Sequence, residues 1–252
     1  MGAFWGQWYS GILQVSEFAC PAWLRLVLFA LPLLCFAAVG YVLKSYSSHD
    51  VQDSVQYMLF YLALAAGWLG VAHPLLALMG ISARDDVLER GNSAVLWALC
   101  GAYVGVSATF VGGNVGNGPG VEVVFFSSGM ATAALFGQWG MVEILATHSP
   151  SESTTIVRDL GAGIRLGGYL AAMGLILGWS VAGDWASLEE TITDFVFFGW
   201  PSLLITAAAV VVESAYRPKL TVTVSHFLLS LGIAVAYGCS ALLYITRGGL
   251  WR

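Results

Sequence analysis

The chain has 252 residues, of which 58% are hydrophobic and only 10% charged, and its mean hydropathy is +0.78. Ordinary soluble domains carry about a quarter charged residues, so this composition excludes a soluble enzyme and points to lipid as the solvent. Ten Lys and Arg, scattered along the chain, are too few for a nucleic-acid footprint, and the net charge of -5 says little about partners.

Backbone donors in hydrocarbon must be satisfied within their own segment, so spans are helices of about 20 apolar residues. The expected architecture is therefore all-α, a polytopic bundle of about seven spans. They fall near 23–43, 55–80, 93–113, 121–146, 160–182, 194–213 and 221–246. Residues 1–21 have no basic n-region and do not read as a signal peptide. Their Trp5, Trp8, Tyr9, Ile12, Leu13 and Phe18 suit a segment in the headgroup layer, ahead of one transmembrane domain over 22–252.

The connections carry most ionisable groups. Seven spans place Arg25, Arg84, Arg90, Arg158, Arg165, Arg217 and Lys219 on one side, and Lys44, Arg247 and Arg252 on the other. By the positive-inside rule the N-terminus is cytoplasmic.

Shifted by 67 residues, Asn92 falls on Asp159, Gly101 on Gly168, Gly116 on Gly183, Asn117 on Asp184 and Glu122 on Glu189. This predicts a parallel internal repeat of units 84–146 and 158–213, each with a polar entry, a glycine-rich span, an outer loop and a return span. The stretches ERGNSAVLWALCGAYVG (Glu89–Gly105) and RDLGAGIRLGGYLAAMGLILG (Arg158–Gly178) resemble the two signature helices of the YjfL-like family of bacterial inner-membrane proteins, domain of unknown function 350. DFVFFGWPSLLI (Asp194–Ile205) resembles that family's other type of span. The second copy departs from the pattern, with Asp159 for Asn and Gly161 for Ala. The resemblance covers about 55–215 and implies a multi-pass bacterial inner-membrane protein with no established activity.

Several positions invite a chemical reading. Gly101 and Gly105, and Gly174 and Gly178, are GxxxG pairs, and Gly168 matches Gly101 in the repeat. Small residues let helix backbones approach closely, so these five are expected at helix contacts; the alternative is a glycine-lined path. Arg165, with Glu143 or Glu213, is either a buried pair on a polar path or a set of side chains that snorkel to the cytoplasmic interface. The loop Gly112–Gly120 lacks the GK[ST] ending of a phosphate loop and reads as a turn. Ser187 followed by Glu190 reads as a capping box. His73 and His226 are weak candidates for axial haem ligands. Cys20, Cys35, Cys100 and Cys239 show no metal-binding spacing.

No catalytic constellation, metal site or cofactor is expected. The leading expectation is a non-enzymatic scaffold or accessory subunit of a membrane complex, or a homo-oligomer. Its partners would be the lipid bilayer and other membrane subunits or itself, with no nucleic acid. A small ion channel or transporter is the alternative, and a haem-bearing electron-transfer subunit a third.

Overall fold

The computed structural model describes residues 2–16, 20–221 and 223–248. Phe18 and Arg252, used in the sequence reading, lie outside the described residues. The helices are α1 (Gly2–Gln14), α2 (Ala22–Tyr46), α3 (His49–Asp53), α4 (Val55–Leu78), α5 (Ser93–Gly112), α6 (Val121–Leu145), α7 (Pro150–Thr155), α8 (Leu160–Ser180), α9 (Leu188–Gly199), α10 (Pro201–Ala215) and α11 (Val224–Gly248), with a π-helical turn at Ala83–Leu88. Six of these (α2, α4, α5, α6, α8 and α11) are long and apolar enough to cross a membrane. The bent pair α9–α10 makes a seventh if it acts as one span. The chain is a multi-pass membrane protein. Its exterior is accordingly apolar, with Leu26, Leu34, Leu59, Ile144, Phe197 and Leu204 among the exposed side chains.

The expected continuous sixth span is corrected to two helices meeting at 42°. Pro201 is the cause. It has no N–H to donate and its ring crowds the preceding turn, so a new helix starts there with proline at its first position.

At the centre, α5 and α8 are the most enclosed of the spans, with 72% and 78% of their membrane-length windows buried against 22% for α4 and for α11. They run parallel, because their close approaches ascend together. A Cβ built on Gly163 would lie 2.1 Å from the Ala94 carbonyl oxygen, on Gly101 1.9 Å from that of Gly167, and on Gly178 2.2 Å from that of Ala108. No residue other than glycine fits these contacts without moving backbone. α2 and α4 flank α5, and α11 lies along α8.

The helix starts follow one local recipe. The Asn92 side chain accepts from Ala94 N and Val95 N, and the Asp159 side chain from Gly161 N and Ala162 N. Upstream, Ser82 accepts from Asp85 N and Ser149 from Glu152 N. Each satisfies donors that a helix start leaves without partners. At both ends of the bundle, positions 67 residues apart also bond each other: Asn117 N and Nδ2 donate to Asp184 Oδ1 at 2.7 and 3.0 Å, and Thr147 N donates to Ser214 Oγ at 3.0 Å.

The aromatic face of the N-terminal segment turns onto the bundle. Trp5 Nε1 donates to the Ala66 carbonyl in the middle of α4 at 3.1 Å. Trp8 packs on Tyr103 in the middle of α5, with ring centroids 5.7 Å apart. α1 thus runs along the helix bodies, because burying its large rings against α2, α4 and α5 removes more apolar surface than lying beside them.

Candidate functional site

The most strongly polar place inside the bundle is built around Arg165. This residue sits on the second turn of α8, with Gly161, Gly168 and Tyr169 one turn away on the same face. Its Nε and Nη2 donate to Glu213 Oε1 and Oε2 of α10, both at 2.7 Å, and Nη1 donates to Ser230 Oγ of α11 at 3.0 Å. Arg165 is 1% exposed and Glu213 4%. The guanidinium lies 5.1 Å from the centroid of the Tyr216 ring, which stacks on His226 at 6.3 Å. Asp159, also buried, accepts from Lys219 N at 3.0 Å through Oδ2 while its Oδ1 caps α8. Two planar forks meeting in parallel satisfy both ions, the geometry a buried pair needs to offset its desolvation. Gly161 makes room beside it, since an added Cβ would lie 2.6 Å from Ser230 Oγ and 3.1 Å from His226 Nε2.

This corrects the snorkelling expectation for Arg165 and Glu213. The bend at Pro201 and the tight α8–α11 approach bring Glu213 and Ser230 to the guanidinium, which binds inward. Glu143 is separate from the pair. It accepts from Trp139 Nε1 at 2.7 Å and from Ser151 N and Oγ at 3.1 and 2.6 Å, and so anchors the start of α7.

A second polar set lies between the membrane-length helices α6 and α8 and the shorter α10. Tyr169 Oη and Thr206 Oγ1 are 3.0 Å apart, Thr206 Oγ1 donates to Gln138 Oε1 at 2.8 Å, and Gln138 Nε2 donates to Ser202 Oγ at 2.9 Å. Sequence reading missed Gln138 and Thr206. An amide at the centre of an otherwise apolar span was the available signal.

Of the five expected contact glycines, Gly101, Gly105, Gly174 and Gly178 lie at the α5–α8 contact. Gly168 does not. Its Cβ would meet Ala234 of α11 at 2.5 Å, because one step along the helix turns it about 100° away from Gly167. Gly163, Gly167 and Gly112 also face the α5–α8 contact, and a seven-residue period in the glycines (Gly167 to Gly174, Gly105 to Gly112) would have selected the last two.

The expected turn at 112–120 is a packed junction. Gly116 N donates to Tyr46 O, Gly183 N to Val115 O and Trp185 N to Asn117 O, so three interhelical segments at one end of the bundle are sewn together. Ser187 accepts from Glu190 N, the forward half of the expected capping box.

His73 and His226 are not brought together. His73 packs on Phe4 and Trp8 of α1, and His226 on Tyr216 beside α8, so the two rings do not fit one haem iron. Among the described residues no group of three or more His, Cys, Asp or Glu is placed to hold a metal ion. Cys20 is fully buried, and burial pushes its thiol above the usual range, with nearby Arg25 opposing. No family model, curated protein or solved structure matches the chain.

Proposed function

We propose that the chain works by association, as a non-enzymatic scaffold or accessory subunit of a membrane complex, or as a homo-oligomer. One observation carries this reading. The strongest charges inside the bundle, Arg165 and Glu213, are spent on each other and sealed from solvent, which is how a bundle is pinned and not how a water path is lined. The central α5–α8 contact is backbone on backbone and leaves no lumen between the two helices. A cavity of about 490 Å³ between α2, α5, α8 and α11, walled by Leu34, Val42, Val104, Ala108, Leu175 and Leu242, offers apolar surface to a neighbour in the bilayer.

The same reading places the chain in a bacterial inner membrane with its N-terminus cytoplasmic. Arg84, Arg90, Arg158, Arg217 and Lys219 gather at the end of the bundle opposite Lys44 and Arg247, and that end is assigned to the cytoplasm. It also treats 84–146 and 158–213 as parallel duplicates. Equivalent residues that touch each other, as Asn117 and Asp184 do, lie on the axis that would relate the two units. The likeness of the glycine-rich spans to the YjfL-like family belongs to this proposal.

The channel or transporter reading has one observation in its favour, the hydroxyl and amide series Tyr169–Thr206–Gln138–Ser202. Two measurements separate the readings. Native mass and copurification from solubilised membranes should find the chain in an assembly of fixed stoichiometry. Proteoliposomes carrying the purified chain should show ion flux no faster than empty vesicles. A strictly monomeric protein that conducts would overturn the scaffold reading.

A further inference from the structure

Between α1, the inner end of α4 and the π-helical turn lies a cavity of about 740 Å³, within the usual size of small-molecule sites. Its apolar walls come from the buried Ile12, Leu28 and Leu88 and the half-buried Phe4. Its mouth is polar, with Gln7, Gln14 and the Arg84–Glu89 ion pair. Trp8 lines it at 8% exposure, and its indole N–H finds no acceptor among the described residues. The His73 ring stands 5.2 Å from the Trp8 ring and lines the same cavity, and its buried Nδ1 likewise has no partner among the described residues. Buried polar atoms are nearly always paired, so two orphans on one wall point to a missing partner.

We propose that this cavity binds the head of a membrane amphiphile, a carbonyl oxygen on an alkyl-tailed molecule. An indole N–H only donates, so the ligand must present an acceptor there. The apolar walls take the first part of the tail, and the polar mouth takes the more hydrated portion. A phospholipid ester and an isoprenoid quinone share this chemistry, and the test separates them.

The purified chain is incubated in detergent with decylubiquinone or with dimyristoylphosphatidylglycerol, and retained adducts are counted by native mass spectrometry. One adduct per chain is expected with one of the two probes, and which probe is retained assigns the class. Trp8→Phe keeps the ring and removes the donor. Gly11→Phe fills the cavity from α1 and leaves Trp8 and His73 in place, since the space at Gly11 meets only Leu88 Cδ1 at 3.9 Å. Adduct occupancy should fall at least about fivefold in each, with the melting temperature near wild type. If Trp8→Phe fails to fold, Gly11→Phe and His73→Phe carry the comparison. Retention of neither probe, or equal retention in the folded variants, overturns the proposal.

Discussion

Gly91 and Arg158 share a positive φ, 62° and 60°, immediately before the residues that cap α5 and α8. Arg158 is the one described residue other than glycine with a positive φ. The left-handed region costs an L-residue roughly 1–2 kcal/mol, and replacement by glycine returns part of that as unfolded-chain entropy. Arg158→Gly is therefore expected to raise stability by about 0.5–1 kcal/mol, and Gly91→Ala to lower it by a similar amount. Thermal unfolding in detergent, followed by circular dichroism, checks both. A destabilised Arg158→Gly would remove the argument that the two turns are equivalent.

Gly101→Ala is the sharpest probe of the central contact, since its Cβ would stand 1.9 Å from the Gly167 carbonyl oxygen. Overpacking of this kind typically costs about 1–3 kcal/mol, and backbone on both sides puts this site at the upper end. Gly232→Ala in α11 meets nothing within 4 Å and should be neutral or gain up to about 1 kcal/mol in helix propensity. Folded yield by size-exclusion chromatography should drop for the first variant alone.

Arg165→Met strands the Glu213 carboxylate in the bundle and is expected to cost about 3–5 kcal/mol. The double variant Arg165→Met/Glu213→Leu removes both ions and should recover most of that loss. A double-mutant cycle on thermal stability measures the coupling. If the double variant stays as damaged as the single one, the pair is doing something other than joining α8 to α10.

Orientation is tested with single cysteines in a cysteine-free background. Gly118→Cys should react with a membrane-impermeant maleimide in intact spheroplasts, and Glu89→Cys only after lysis. The opposite pattern would invert the topology and with it the assignment of Arg84, Arg90 and Lys219 to the cytoplasmic end.

Much of this protein is readable in one dimension, because lipid imposes a local rule. Every span must satisfy its own backbone, so apolar length alone marks α2, α4, α5, α6, α8 and α11. Caps are equally local: Asn92, Asp159 and Ser187 act on donors two or three residues away. What a side chain meets across the bundle is not local. Arg165 had two carboxylates in reach by sequence, and only the bend at Pro201 together with the approach of α11 gives it Glu213 and Ser230 while Glu143 turns to α7. Gly167 and Gly168 are neighbours of identical chemistry, yet one packs on α5 and the other on α11, because rotation of about 100° per residue divides them between two partners. The place of α1 was likewise decided by tertiary contact, since an aromatic face satisfies a headgroup layer and a helix groove alike until Trp5 finds the Ala66 carbonyl.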